Sequence, residues 1–135
     1  MSDVTLVDSN VLLDIFTEDP DWSAWSGAAL RDAANRGLVC INQIIYAEVS
    51  VGFDTIEELE DALPASYFAR EALPWPAGFL AGKAFLKYRR LGGTRTSLLP
   101  DFYIGAHAAV TGYRLLTRDH GRYSTYFPTV RLIAP

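Results

Sequence analysis

Four acidic residues stand at positions where a soluble domain does not usually place charge. Asp8 ends an apolar, strand-like run, and Glu48 interrupts an apolar stretch with helical spacing. Asp101 and Asp119 each lie beside apolar or turn sequence. If the fold brings these carboxylates together, a divalent cation is the natural means of neutralising their mutual repulsion. The four acids therefore predict a metal site.

Each of these acids also has a purely structural explanation. Asp8 fits a helix cap, Asp101 fits a charge that complements a helix dipole, and Asp119 fits a turn residue. Glu48 is flanked by apolar residues, where a solvated charge is less natural, although it fits a side chain that faces a groove. The metal-site hypothesis therefore depends on all four residues meeting in the fold.

The elements that must position these acids alternate between short apolar runs and helical patterns. Strands are predicted at residues 4–7, 38–41, 114–117 and 130–133, with 69–75 as an ambiguous short strand. Helices are predicted at 10–16, 22–36 with Asp21 as the cap, 43–53, from a capping box at 55–58 to about 64, 76–91 and 100–112. Residues 94–99 are predicted as a loop, and 119–123 as a turn or short helix.

This alternation predicts an α/β fold with a parallel or mostly parallel central sheet flanked by helices. Sites in such sheets form outside the carboxyl ends of the strands. Asp8 and Asp119 follow predicted strands, Glu48 lies in a helix that directly follows a strand, and Asp101 lies in a first helical turn. One edge of the sheet is therefore expected to collect all four carboxylates.

Composition limits the class of protein. The 135 residues, half of them hydrophobic, fit a single domain spanning residues 1–135, and the net charge of −4 disfavours nucleic-acid binding through overall charge. The only cysteine, Cys40, lies in an apolar run, which excludes an intrachain disulfide and a thiolate metal site. Neither a membrane span nor a signal peptide is recognisable, so a cytoplasmic protein is expected.

Other residues that could do chemistry fit no known site pattern. His107 and His120 are too isolated for a zinc site. Asp14 is expected to support the acidic cluster from behind or to face solvent. The sequence contains no Walker loop, no dinucleotide fingerprint and no nucleophile elbow around Ser9.

Four segments resemble the PIN domain family, and specifically the VapC-type toxins of bacterial toxin–antitoxin pairs. They are Val7-Asp8-Ser9-Asn10-Val11-Leu12-Leu13-Asp14, Tyr46-Ala47-Glu48-Val49, residues 99–108 around Pro100-Asp101, and residues 116–123 around Thr117-Arg118-Asp119. The resemblance spans almost the whole chain. It implies a PIN-like α/β/α sandwich, an Mg²⁺- or Mn²⁺-dependent ribonuclease, a small antitoxin partner that blocks the site, and a homodimer.

By that resemblance Asp8, Glu48, Asp101 and Asp119 match the acidic quartet of the family. Oxygen ligands alone suit Mg²⁺ or Mn²⁺. We expect Asp8 and Asp101 to be the primary ligands, Asp119 to bind directly or through water, and Glu48 to orient or deprotonate the attacking water. Hydroxyls near the metal are expected from Ser9 and Thr117.

An acidic site that acts on RNA needs cations at its rim. Arg95 and Arg118 are the preferred candidates for contacts with RNA phosphates. Other basic residues that could join the rim are Lys87, Arg89, Arg90, Arg114 and Arg122. For the first three of these, neutralisation of a helix C-terminus is at least as good an explanation.

Two functions of other classes remain open from the sequence. An aspartyl-phosphate phosphatase or receiver would use Asp8 as its nucleophile, although the phosphatase pattern asks for Asp where this chain has Asn10. A non-catalytic interaction module would instead use Trp22, Trp25 and Phe53 as a partner groove. The antitoxin itself is expected to cover Trp22, Trp25 and the active-site edge.

Overall fold

The computed structural model describes residues 3–97 and 99–135, which form five strands and seven helices. The strands are β1 Thr5–Val7, β2 Val39–Ile41, β3 Phe68–Arg70, β4 Arg114–Leu116 and β5 Leu132–Ile133. The helices are α1 Ser9–Phe16, α2 Ser23–Arg36, α3 Gln43–Ser50, α4 Ile56–Ala62, α5 Trp75–Arg90, α6 Pro100–Thr111 and α7 His120–Tyr126. The predicted loop at 94–99 includes Leu98, which lies outside the described residues.

The five strands form one sheet in the order β3-β2-β1-β4-β5, and every pairing between neighbours is parallel. Helices flank this sheet, which confirms the predicted α/β/α architecture. In the register of β1 with β4, Val7 lies opposite Leu116. The residues that follow these two strands, Asp8 and Thr117, therefore leave the sheet side by side at its carboxyl edge.

The short strands are anchored by burial on both faces. Each residue of β1 and β2 is buried, which is typical of the central strands of a parallel sheet covered by helices. Cys40 belongs to this core, as predicted, and burial raises the pKa of its thiol to about 12. The edge strand β3 is buried only at Phe68, which explains why its sequence pattern was ambiguous.

Local capping signals account for several helix ends. The hydroxyl of Thr55 accepts a hydrogen bond from the backbone N–H of Glu58 at 3.2 Å, as the predicted capping box requires. Gly112 ends α6 with a φ of 74°, a left-handed conformation that glycine adopts without strain. The prediction that Asp21 caps α2 was wrong. The carboxylate of Asp19 instead accepts from the backbone N–H groups of Asp21 and Trp22, both at 2.9 Å.

Helix α6 approaches the end of α7 closely at Gly105. A Cβ atom at this position would collide with the ring of Phe127, so only glycine permits this contact. The close approach matters because the N-terminal ends of both helices carry acids of the predicted site, Asp101 in the first turn of α6 and Asp119 at the N-cap of α7. Among the described residues, no helix combines the length and the apolar composition needed to cross a membrane.

Candidate active site

Asp8 is both a helix cap and the most buried acid of the predicted site. It follows β1 at the N-cap of α1, only 2% of its surface is exposed, and its Oδ1 accepts from the backbone N–H of Ser9 at 2.8 Å. Its Oδ2 accepts from the hydroxyls of Thr117 at 2.8 Å and Tyr123 at 3.0 Å. Burial raises the pKa of Asp8 to about 6, although these hydrogen bonds act in the opposite direction.

Glu48 reaches the same site from α3 through the hydroxyl of Ser9. This hydroxyl donates to Oε1 of Glu48 at 2.8 Å and lies 3.4 Å from Oδ1 of Asp8. Burial raises the pKa of Glu48, and the negative charge of Asp101 raises it further. The isolated charge in an apolar helix is therefore explained, because Glu48 faces the carboxyl edge of the sheet.

Asp101 lies in the first turn of α6, directly after Pro100. Burial raises the pKa of Asp101, and the nearby charge of Asp119 acts in the same direction, whereas the guanidinium of Arg122 lowers it. The Tyr123 hydroxyl also lies close enough to Asp101 to favour its charged form. Asp101 thus shares one buried neighbour, Tyr123, with Asp8.

Asp119 caps α7 and is tied to Asp8 through Thr117. Its Oδ1 accepts from the backbone N–H of Arg122 at 3.2 Å, and its own backbone N–H donates to the Thr117 hydroxyl at 3.0 Å. The same hydroxyl donates to Asp8. Nε of Arg122 lies 4.0 Å from Oδ2 of Asp119 and 3.5 Å from Oδ2 of Asp101.

The structure therefore places all four predicted acids along one continuous series of contacts. Ser9 joins Glu48 to Asp8. Thr117 joins Asp8 to Asp119, and Tyr123 joins Asp8 to Asp101. Arg122 lies between Asp101 and Asp119. Within residues 3–97 and 99–135, however, no three acidic, histidine or cysteine side chains converge into a ready coordination sphere. The donor set of carboxylate and hydroxyl oxygens nevertheless fits a hard divalent cation.

Two residues of this site were missed by the sequence reasoning. Tyr123 is fully buried, and burial together with the charge of Asp8 raises the pKa of its hydroxyl well above the usual value. Asn10 donates from Nδ2 to the Thr117 hydroxyl at 3.3 Å and accepts from the backbone N–H of Arg118 at 3.2 Å. Both residues lie inside the segments that resemble the PIN domain family, but their roles depend on contacts with residues that are distant in the sequence.

Arg118 and Asp14 form an ion pair beside the four acids. Nε and Nη2 of Arg118 donate to the two carboxylate oxygens of Asp14 at 2.7 and 2.9 Å, and the guanidinium lies over the ring of Trp22 at 5.0 Å. Asp14 is buried and also accepts from the Ser26 hydroxyl at 2.7 Å, so the expectation of a solvent-facing role was wrong. The RNA contact predicted for Arg118 stays a prediction.

The other basic residues of the predicted rim lie in different parts of the fold. Arg95 is exposed in the loop before α6, and its predicted RNA contact also stays a prediction. Arg114 begins β4 at the amino edge of the sheet and pairs with Asp3 at 2.5 Å. Its inclusion in the rim was wrong, because this edge is opposite to Asp8. Lys87 donates to the backbone oxygen of Thr125 at 2.8 Å.

His107 is a packed core residue. It is fully buried, Nδ1 lies 2.9 Å from Nδ2 of Asn42, and burial lowers its pKa. Because Oδ1 of Asn42 accepts from the backbone N–H of Ile45, its Nδ2 is the donor and His107 Nδ1 the acceptor. His120 is exposed at the start of α7.

The aromatic residues proposed as a partner groove pack largely within the molecule. Trp22 contacts Trp25 edge to face at 6.4 Å between ring centres, and Phe53 contacts Phe16 in the same way at 5.9 Å. Two aromatic residues of α5 are far more accessible, since Trp75 is 93% and Phe79 is 71% exposed. The expected antitoxin contact at Trp22 and Trp25 stays a prediction.

Comparison with known proteins decides the family. The PIN domain family model matches residues 5–127, which include all four acids and the three residues whose hydroxyls contact them, Ser9, Thr117 and Tyr123. The chain belongs to the PIN domain family. A comparison with curated proteins found no significant match.

Several solved structures have the same fold as this PIN domain. They include VapBC2 from Rickettsia felis bound to a DNA fragment from their promoter (18% identity, 98% of each chain covered, TM-score 0.74). Others are VapBC-1 from nontypeable Haemophilus influenzae (15%, 97% of each chain, 0.72) and FitAcB from Neisseria gonorrhoeae (21%, 96% of each chain, 0.64). These likenesses extend over nearly the whole chain and establish the same fold.

Proposed function

We propose that this PIN domain is a metal-dependent endoribonuclease that acts as the toxin of a toxin–antitoxin pair. The observation that carries the proposal is the continuous series of contacts joining Asp8, Glu48, Asp101 and Asp119 at the carboxyl edge of the sheet. Beyond the effect of burial, carboxylates linked in this way raise one another's pKa values, and a bound cation would relieve their repulsion.

Asp8, Asp101 and Asp119 would hold Mg²⁺ or Mn²⁺, because these hard ions prefer carboxylate oxygen ligands. When bound, the ion would polarise a phosphate oxygen, lower the pKa of a water and stabilise the leaving oxygen. Ser9, Thr117 and Tyr123 keep Asp8 in one orientation by donating three hydrogen bonds to its carboxylate.

Glu48 is the proposed general base. Burial and the charge of Asp101 raise the pKa of Glu48, which brings its proton affinity closer to that needed at neutral pH. The Ser9 hydroxyl at 2.8 Å fixes the carboxylate of Glu48. From this position Glu48 would orient and deprotonate the water that attacks the phosphodiester.

An aspartyl-phosphate mechanism is less compatible with the geometry. Asp8 is only 2% exposed, and both of its carboxylate oxygens already accept hydrogen bonds. A nucleophile must contact the phosphorus atom of a bulky phosphoryl group, which the burial of Asp8 hinders more than contact with a small ion. Asn10 also stands where the phosphatase pattern asks for Asp.

The proposed partners are RNA, a small antitoxin and a second copy of this chain. The solved structures similar to this chain include a toxin–antitoxin complex, which supports the antitoxin. The exposed rings of Trp75 and Phe79 on α5 support a further protein contact, for which we propose the homodimer. We expect the protein to act in the cytoplasm.

The decisive experiment is incubation of purified protein with total cellular RNA, with and without Mg²⁺ or Mn²⁺, followed by mapping of the cleaved ends. Cleavage at defined sites that requires the ion and is lost in Asp101→Asn supports the proposal. Asp32→Asn is the matched control, because Asp32 is an exposed acid of α2. Equal RNA degradation by wild type and Asp101→Asn would refute it.

Expression from the native locus tests the partners. We expect co-purification with a small chain, and a mass of two copies for the protein freed from that chain. If gel filtration and mass spectrometry find this chain alone as a monomer in both preparations, neither partner proposal stands.

A further inference from the structure

Two arginines flank Asp119, and their surroundings suit different tasks. Arg118 donates two short hydrogen bonds to Asp14 in the parallel, bidentate geometry that holds guanidinium and carboxylate groups most firmly. Its backbone N–H also donates to Asn10. Arg118 therefore connects the loop after β4 to α1, and two of its five guanidinium N–H donors are committed to Asp14.

Arg122 is held much more loosely. Nε lies 3.5 Å from Asp101 and 4.0 Å from Asp119, both longer than the usual N–H···O hydrogen bond of about 2.7–3.2 Å. Its buried Nη1 has no hydrogen-bond partner among the described residues. The guanidinium carbon lies 5.9 Å from the ring centre of Phe102, which supports its plane from one side.

A loosely held guanidinium inside an acidic site is suited to a phosphate. Arginine presents several N–H donors in a planar fork that matches phosphate oxygens, and an RNA phosphodiester needs a cation to approach four carboxylates. Arg122 supplies such a cation between Asp101 and Asp119. These two acids are also proposed ion ligands, so the positive charge of Arg122 opposes ion binding there.

We infer that Arg122 is the arginine that contacts the RNA phosphodiester at the active site, and that without RNA its guanidinium weakens divalent-ion binding to Asp101 and Asp119. Arg118 then positions the loop that carries Thr117 and Asp119. This inference rests on the proposed function. It predicts that removal of Arg122 changes the affinities for ion and RNA in opposite directions.

The test compares Arg122→Gln with wild type in two binding measurements. Mn²⁺ affinity without RNA, measured by electron paramagnetic resonance, is expected to increase by roughly fivefold because a like charge is removed. Affinity for a single-stranded RNA oligonucleotide in Ca²⁺, measured by fluorescence anisotropy, is expected to fall by roughly tenfold or more, with a shallower salt dependence. Loss of a merely structural residue would weaken both.

Arg36→Gln is the matched control. Arg36 is exposed at the end of α2, and its replacement makes the same charge change far from the acidic site. Both of its affinities are expected to equal those of wild type. Arg122→Lys keeps the charge but loses the fork, so we expect wild-type Mn²⁺ affinity and intermediate RNA affinity. This variant serves as the test if Arg122→Gln does not fold by circular dichroism.

The outcomes separate the inference from the function on which it rests. If wild type cleaves RNA and Arg122→Gln binds RNA equally well, the inference is overturned and the nuclease stands. Unchanged or weakened Mn²⁺ binding in a folded Arg122→Gln protein also overturns it. If wild type neither binds nor cleaves RNA with any divalent ion, both fail together.

Discussion

Arg118 and Arg122 stand on either side of Asp119, and each lies beside aspartate carboxylates. The pair of Arg118 with Asp14 is closed: it is bidentate, its carboxylate is buried, and a ring covers the guanidinium. Arg122 instead lies between two partly exposed acids at longer distances and with an unused donor. The same residue types thus form a tight structural ion pair in one place and a pair of longer, weaker contacts in the other.

The difference follows from charge balance. At the Asp14 site one cation meets one anion, and the Ser26 hydroxyl satisfies a further lone pair, so the charge of the buried Asp14 is neutralised. At the acidic edge the guanidinium of Arg122 lies beside two of the four carboxylates of the predicted site, Asp101 and Asp119, and three of the four have raised pKa values because of burial. Excess negative charge is what makes that edge suitable for a divalent cation. The comparison predicts that mutations in the two sites have different consequences.

The largest expected effect is on catalysis. Asp101→Asn should lower the rate of RNA cleavage by roughly a thousandfold, because an amide retains the shape of the side chain but binds Mg²⁺ poorly. The circular dichroism spectrum should remain that of wild type. Cleavage assays on defined RNA, with Asp32→Asn as the control, measure this. Retained cleavage in both Asp101→Asn and Asp8→Asn would refute the metal-dependent nuclease.

Asp14→Ala should act on stability instead. Removal of this buried partner leaves the partly exposed Arg118 guanidinium and the buried Ser26 hydroxyl without their acceptor, and we expect the free energy of unfolding to fall by about 2 kcal/mol. Urea denaturation measures the change. The control is Asp32→Ala, whose exposed pair with Arg36 should contribute less than about 0.5 kcal/mol. If Asp14→Ala is as stable as wild type, the ion pair of Asp14 with Arg118 does not stabilise the fold.

The acidic edge should give metal-free protein a characteristic pH dependence. The folded pKa of Asp8 is raised from 3.8 to about 6, so the folded state binds more protons between these values and stability falls as pH rises through this window. The contribution amounts to roughly 3 kcal/mol, from about 1.4 kcal/mol per pKa unit. Urea denaturation in EDTA across this range measures it.

Asp8→Asn isolates the contribution of that one carboxyl group. The difference in unfolding free energy between this variant and wild type should change with pH between 3.8 and about 6 and stay constant above it. A difference that is constant across the whole range would show that Asp8 titrates normally in the folded protein.

Divalent ions should stabilise the folded protein only by binding at the site of Asp8, Asp101 and Asp119. At 100 times its dissociation constant, Mn²⁺ is expected to raise the free energy of unfolding by about 2.7 kcal/mol. Differential scanning fluorimetry should show a higher melting temperature for wild type and for Arg36→Gln, but not for Asp101→Asn. An equal response in all three proteins would place the ion elsewhere.

The smallest expected effect concerns Tyr123. Tyr123→Phe removes one hydrogen bond to Asp8 and should lower the free energy of unfolding by about 1 kcal/mol. Because that hydrogen bond lowers the pKa of Asp8, its loss should move the folded pKa upward. Nuclear magnetic resonance titration of the Asp8 carboxyl group in EDTA measures this shift. A downward shift would contradict the assigned donor.

Much of the fold was predictable because its signals are local. The Thr55–Glu58 capping box, Pro100 at the start of α6 and Gly112 at its end act within a few residues. Short apolar runs between helices were sufficient to predict a parallel sheet. The edge strand β3 was uncertain because only Phe68 in it is buried, and a strand this short has little pattern of its own.

The positions of the four acids were likewise predictable from the sequence, since the residues that follow parallel strands gather at one edge of the sheet. Which side chains support or oppose them was decided by the tertiary structure. Arg118 reaches Asp14 and Tyr123 reaches Asp8 across most of the chain length. Such pairs have no local signature, because helix packing alone brings them within hydrogen-bonding distance. The sequence therefore determined the chemical groups of the site. Three-dimensional packing decided that Arg118 forms a tight ion pair with Asp14, whereas Arg122 makes only long contacts with Asp101 and Asp119.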